Sequence, residues 1–385
     1  MTSTFASSPQ IPSHGGQLRQ ISNQFGIRAE ELLDFSVNIN PDGPPESVLT
    51  ALRKALSDSA SLTAYPDLEY FQLKQVIATH CNIPANCVSV ANGFVPLLQA
   101  ALSTLRPERC LLPVPAFGEY RSSLQQAGIK VTPFPLEEHG FRYDSNRLFE
   151  ALHPHTRLGE RCAILLANPQ NPSGALTSSE LMLDLVQRAS KLGITVLLDE
   201  AFIDYEASQS LTQRAPSLPN LVVFRSVTKF FAIPSFRVAY TVSTADSADR
   251  ISGAIAPWSI STLASDGVLA ALSNVDFEAR SREANTVRRL DLEAQLAKLG
   301  LGTYASGANF LLVRLPAPSD GHQIWQNLVT SERVLTRFCG NFEALSLNHL
   351  RVSVRTPQDN SHLIASLRRV IDRHSNEIRG WPSHD

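Results

Sequence analysis

Ile164-Leu165-Leu166-Ala167-Asn168-Pro169-Gln170-Asn171-Pro172-Ser173-Gly174, followed after a helical stretch by Thr195-Val196-Leu197-Leu198-Asp199-Glu200-Ala201-Phe202, decides the fold. Each segment is a short, unbroken apolar run that ends abruptly on polar residues. A strand buried on both faces reads this way, whereas a half-exposed strand alternates. The same grammar recurs at Val88–Val90, Cys110–Pro113, Leu221–Phe224 and Arg237–Val242. Helical patterns of roughly 10–15 residues separate the runs, as in strand–helix–strand units. The expected architecture is therefore α/β, with a mostly parallel central sheet and helices on both faces.

Outside that region the pattern changes. Residues 1–45 are polar and turn-rich, with His14-Gly15-Gly16, a short helix and Asp34-Phe35-Ser36-Val37-Asn38-Ile39-Asn40-Pro41. The Asp42-Gly43-Pro44-Pro45 cluster ends the arm and precedes a helix near 46–57. After about residue 275 come a long charged helix (Phe277 to Leu299), the run Asn309–Val313, a helix near 321–331, Val334–Arg337, Leu350–Arg355 and a final helix. The expected division is an N-terminal arm over 1–45, a large domain over 46–270 and a smaller α+β domain over 271–385.

Bulk properties narrow the function. With 34 Lys and Arg against 36 Asp and Glu, the formal net charge is −2, which gives no electrostatic reason to expect nucleic acid or a membrane surface as partner. No apolar run approaches the ~18 residues of a membrane helix. The opening Met1–Gln10 segment has neither a basic nor an apolar region, so no secretory signal is expected and a cytoplasmic location fits. The 5 cysteines are scattered, without C-x-x-C pairs or zinc spacing, and read as reduced core thiols with no metal site.

The chemistry lies in the residues just past each strand, because ligands of open parallel sheets bind beyond the carboxyl ends of the strands. Ala91-Asn92-Gly93-Phe94 joins a strand to a helix, where glycine allows close approach and free N–H groups face an anion. Pro115-Ala116-Phe117 offers an aromatic ring to a flat heterocycle. Asn171 sits in a turn stiffened by prolines and Gly174. Asp199 directly follows an apolar strand, and taken singly reads as a helix cap. Ser226-Val227-Thr228-Lys229 comes after the next strand, with Arg237 eight residues further on. A desolvated lysine frees its amine to form an imine, and a hydroxyl and a planar cation suit a phosphate.

Anion cradle, aromatic plate, Asn, Asp, and Lys with Arg, in this order and each after a strand, form the sequence pattern of fold type I enzymes that use pyridoxal 5′-phosphate (PLP). The chain resembles that family from His14 to about residue 373. The resemblance implies a fold type I PLP-dependent transferase fold in which Lys229 holds the cofactor as a Schiff base and Asp199 pairs with the pyridine nitrogen. It implies that Asn171 touches the ring 3′-oxygen, Phe117 stacks on the ring, and Ser226, Arg237, Gly93 and Phe94 hold the phosphate. Tyr65 is similar to the family tyrosine that reaches the phosphate of a neighbouring subunit, which implies a homodimer. Where the family adds a hydroxyl after the glycine, this chain has Phe94-Val95-Pro96, and Ser235 stands where a glycine is usual.

Within the family, several segments lean toward the decarboxylases that act on O-phospho-L-threonine in cobalamin biosynthesis. They are His14-Gly15-Gly16, Asp34–Pro41, Arg225–Pro234 and Pro257-Trp258-Ser259. Phe202 leans the same way, since it cannot donate the hydrogen bond of the usual tyrosine. Aminotransferases of the histidinol-phosphate type are the next resemblance. Arg337 and Arg351, fourteen residues apart, match the family's arginine pair. Arg351 is the candidate for the substrate α-carboxylate, and Arg337, His14 and Asn38 for the substrate phosphate and its surroundings; Arg355 reads as structural.

Overall fold

The computed structural model describes residues 11–316 and 320–379. The chain forms two compact units. One comprises Ile39–Val287 with Ala305–Asn309, the other the remaining described residues. The dividing lines fall at 38/39 and 287/288, where the sequence pointed to 45/46 and 270/271. The second shift follows from helix continuity. The helix Val275–Lys298 has no proline or glycine to mark a boundary, so nothing in its sequence signals the division.

The larger unit carries a seven-stranded sheet: β1 (Val88–Ala91), β2 (Arg109–Val114), β3 (Lys130–Pro135), β4 (Cys162–Ala167), β5 (Thr195–Asp199), β6 (Leu221–Ser226) and β7 (Ala239–Val242). Their order is β1-β7-β6-β5-β4-β2-β3, with β7 antiparallel to both its neighbours and the other pairs parallel. β3 escaped the sequence reading because it is an edge strand, half-exposed and carrying Pro133 and Pro135, which only an edge tolerates. β4, β6 and β7 are buried throughout, and in β2 and β5 only the first residue is partly exposed. Their period-2 geometry sends Ile164, Leu166, Val196 and Leu198 into one apolar layer, with Met182, Leu185 and Val186. Ala163, Leu165, Leu197 and Val222 enter the opposite layer, with Leu97, Leu98 and Ala101. Unbroken apolar strands are the direct consequence of this two-sided burial.

The smaller unit has an antiparallel sheet in the order Arg337–Phe338, His349–Ser353, Phe310–Arg314, Gly302–Thr303. Leu33–Asp34 pairs in parallel with Val334–Leu335, a strand pair the sequence did not suggest. Trp325 and Leu328 on the helix Gly321–Glu332 and Leu363 and Leu367 on the helix Pro357–Arg379 pack against Leu311, Val313, Leu350 and Val352. Among the described residues no helix is long and apolar enough to cross a membrane.

Candidate active site

Strand register gathers the segments that carry Gly93, Asn171, Asp199, Ser226 and Arg237 at one sheet edge. Ala239 of β7 pairs with both Ala91 of β1 and Ser226 of β6, while Asp199 pairs with Phe224 and with Ala167. The segments after β1, β4, β5 and β6 therefore leave the sheet on the same side. β7 runs the opposite way, so the residues preceding it, not those after it, lie at that edge. This is how Arg237, two residues before β7, joins the group.

Gly93 has φ 97°, in the left-handed region, and a Cβ placed there would lie 3.0 Å from Nη2 of Arg237. It caps the helix Phe94–Leu105, whose first-turn N–H groups have no intrahelical acceptor. Pro96 supplies no N–H, leaving those of Phe94 and Val95 beside the exposed Arg237. Ser226 is buried, and its Oγ lies 2.7 Å from Oγ1 of Thr228. Cationic fork, glycine and free amides form a cradle that fits a phosphate dianion.

Asp199 is only 7% exposed. Its Oδ1 accepts the Ala201 N–H at 2.8 Å, and its Oδ2 accepts the Tyr120 hydroxyl. Burial pushes its pKa up to about 6 against the opposing pull of those two donors, and Glu200 adds to the rise. A buried carboxylate of this kind fits a protonated ring nitrogen. Tyr120 was not foreseen; the available signal was its position three residues after Phe117, in the first turn of the helix Gly118–Gln126. The Phe117 and Tyr120 rings meet edge to face at 5.5 Å. Phe94, the unusual residue of the cradle, packs 5.5 Å from Tyr120 and 5.3 Å from Phe224, so it serves as an aromatic wall.

The Asn171 turn is held by Gln170, whose Nε2 donates to the Pro115 carbonyl at 2.5 Å and whose Oε1 accepts the Ser173 N–H at 2.8 Å. Asn171 and Lys229 are both half-buried, and Phe202 is buried. The lysine segment is tied down by Asn40: its N–H donates to the Lys229 carbonyl at 3.0 Å, and its Nδ2 to the Phe230 carbonyl and to Ser281 Oγ at 3.0 and 2.9 Å. Behind the edge lies a buried ion network in which Arg225 Nη2 meets Asp204 at 2.5 Å and Nη1 faces Glu200 at 3.8 Å. Tyr65 is 82% exposed, its ring 5.1 Å from that of Trp258, which is 47% exposed.

The other four predicted residues belong to the smaller unit. Arg337 and Arg351 are directly opposed on paired strands, and both are buried. Arg337 Nη2 donates to the Ser13 carbonyl at 2.8 Å and Nη1 to the Phe338 carbonyl, and its guanidinium lies 4.9 Å from the centre of the Phe342 ring. Arg351 Nη2 donates to the Ser36 carbonyl at 3.1 Å, and burial pulls its pKa down to about 10. Asn38 is buried, with Oδ1 accepting no hydrogen bond among the described residues. His14 is half-buried two residues before Gly16, whose N–H donates to Ser36 Oγ at 3.0 Å. Arg355 pairs with Asp359 at 3.1 Å and donates to the Asp34 carbonyl, a structural role.

A buried carboxylate, a half-buried lysine, a group of aromatic rings and an anion cradle follow strands of one sheet, a set of side chains whose chemistry fits a phosphorylated heterocycle. The chain belongs to the aminotransferase class I and II family, whose sequence pattern matches residues 30–367. It is 33% identical to a threonine-phosphate decarboxylase of Salmonella typhimurium over 93% of this chain and 96% of that protein. It is 31% identical to a histidinol-phosphate aminotransferase of Pseudomonas fluorescens over 95% of each chain. The crystal structure of a histidinol-phosphate aminotransferase from Sinorhizobium meliloti, in complex with pyridoxal-5′-phosphate, matches with TM-score 0.81 at 20% identity, over 97% of this chain and 99% of that one.

Proposed function

We propose that the chain is a PLP-dependent carboxy-lyase that converts O-phospho-L-threonine to (R)-1-aminopropan-2-yl phosphate in cobalamin biosynthesis. When bound, PLP supplies an electron sink conjugated to the substrate α-carbon. Lys229 holds the cofactor aldehyde covalently through Nζ. Asp199 keeps the proton on the ring nitrogen, Asn171 addresses the 3′-oxygen, and Phe117 covers the ring. Ser226, Arg237 and the Gly93–Phe94 amides take the phosphate. In this reading CO₂ leaves from the α-carbon, and a proton takes its place there.

The observation that carries the substrate assignment is the Arg337–Arg351 pair. Two buried guanidiniums on directly opposed residues repel each other, and an arrangement of that kind calls for anions. A phosphorylated amino acid brings two, a carboxylate for Arg351 and a phosphate for Arg337, with His14 and Asn38 as further polar residues around them. The length-wide likeness to a threonine-phosphate decarboxylase supports the same substrate class. Tyr65, largely exposed beside Trp258, is the residue offered to a second copy of the chain in a homodimer, and a cytoplasmic location goes with this reading.

The alternative is transamination of a histidinol-phosphate-type substrate, favoured by the comparable likeness to that aminotransferase. Incubation of the purified enzyme with O-phospho-L-threonine separates the two. CO₂ release without a keto acid supports the lyase, and a strict need for a keto acid acceptor sinks it. Borohydride must bleach the visible band of the loaded enzyme, and Lys229→Ala must lack that band.

A further inference from the structure

We infer that Tyr120 is a positioning residue for Asp199: its hydroxyl fixes the carboxylate in the orientation and charge state that serve the cofactor's ring nitrogen. The inference rests on the cofactor reading above and adds a residue to it. A carboxylate that faces a ring nitrogen must not rotate, and Asp199 is held at both oxygens, by the Ala201 N–H from its own strand end and by Tyr120 from the helix Gly118–Gln126. The second donor comes from a different element, so it locks the side-chain torsions that the local backbone contact leaves free.

Tyr120 suits the task. It is 2% exposed and wedged among the rings of Phe94 and Phe117, so it has little freedom to swing away. Burial and the neighbouring Asp199 hold its own ionisation well above the ordinary range, so the hydroxyl remains a donor at any pH the enzyme meets. Tyr120, Tyr143 and Glu200 are among the titratable groups that face Asp199. The Tyr143 hydroxyl already donates to the Ala167 carbonyl at 2.8 Å, and Glu200 works against the ionised carboxylate. The favourable side-chain donor is Tyr120. A hydrogen bond to a charged group at a buried site is worth about tenfold or more in the equilibrium it controls.

Tyr120→Phe removes one oxygen and keeps the packed ring. In the cofactor-free protein, the Asp199 carboxyl band, followed by infrared difference spectroscopy and assigned with Asp199→Asn, should titrate about one pH unit higher than in wild type. In the loaded enzyme, the pH profile of the visible absorption band should shift and kcat should fall about tenfold, with KM changed less than about twofold. Tyr120→His, which retains a ring donor, should recover part of both effects. It also serves as the test variant if Tyr120→Phe does not fold. Wild-type titration, spectrum and kcat in a folded Tyr120→Phe protein would overturn the inference. A wild type that takes up no PLP sinks the cofactor reading instead, and the infrared titration still decides whether Tyr120 governs Asp199.

Discussion

Arg337 and Arg351 face each other across one antiparallel strand pair, both buried, with Arg337 donating to the Ser13 and Phe338 carbonyls and Arg351 to that of Ser36. Like charges directly opposed on neighbouring strands oppose folding, so this pair costs stability where it stands. Arg337→Met keeps an unbranched apolar stem and removes the charge. Thermal unfolding of this variant should be unchanged or higher, because a buried like-charge contact is gone. Its kcat/KM for a phosphorylated amino acid should fall about 100-fold, in keeping with the ~2–5 kcal/mol at stake when one member of a buried ionic contact is truncated. A purely structural arginine would give the reverse, a lower unfolding temperature with activity retained.

Asp199 imposes a pH dependence with a definite sign. Its pKa rises from 3.8 to about 6 on folding, so the folded cofactor-free protein binds the proton more tightly than the unfolded chain. Its favourable contribution is complete below pH ~4 and is lost as pH rises through about 6. Above that, the buried carboxylate costs on the order of 3 kcal/mol. Cofactor-free Asp199→Asn should therefore be more stable than wild type at pH 8, with the difference closing at pH 4. Denaturant unfolding of both proteins at the two pH values measures it. A constant difference would show that Asp199 does not titrate in this range.

Sequence legibility followed burial. Strands covered on both faces leave an unbroken apolar signature, and six of the seven sheet strands were readable from it. β3 was not, because an edge strand with Pro133 and Pro135 carries the composition of a loop. The direction of β7 was also hidden: pairing sense is set by where neighbours lie, not by the strand's own residues, yet it alone explains why Arg237 precedes its strand. Register brings the segments that carry Gly93, Asn171, Asp199 and Ser226 to one sheet edge, as their positions after successive strands implied. Tyr120 acts through a contact distant in sequence and carries no motif of its own, and Asn40, though inside the Asp34–Pro41 segment, shows its role only through its contacts with the Lys229 and Phe230 carbonyls. The role of Phe94 emerged only from its neighbours, Tyr120 and Phe224.

Gly93 is tested by adding one methyl group. The backbone there has φ 97°, and the new carbon would press on Arg237 at 3.0 Å. Gly93→Ala should cost roughly 1 kcal/mol in backbone strain alone. It should weaken PLP binding by about tenfold or more through displacement of the guanidinium from the anion cradle. Pyridoxal, which lacks the phosphate, should bind the variant and wild type nearly equally. Equilibrium dialysis with both ligands makes the comparison, and equal losses for the two would move the phosphate away from this glycine.

Arg225 supports the site from behind. Its guanidinium bonds Asp204, Thr212 and Ser210 and lies near Glu200, with all three charged groups buried. Glu200 immediately follows Asp199, and Arg225 immediately precedes Ser226, so the network clamps the two strand ends that carry Asp199 and Ser226, the residues proposed to hold the cofactor. Arg225→Met strands two buried carboxylates, and burial already pushes the Glu200 pKa up despite its arginine and hydroxyl partners. Breaking a buried ionic cluster from one side typically costs ~3–5 kcal/mol. The variant should unfold at lower denaturant and recover partly as pH falls, since protonating the stranded Glu200 relieves its share of the penalty. A triple variant that combines Arg225→Met with Glu200→Leu and Asp204→Leu should regain much of the lost stability. Its cofactor binding should stay impaired, because apolar packing can replace the energy of the clamp but not the alignment it gives Asp199 and Ser226.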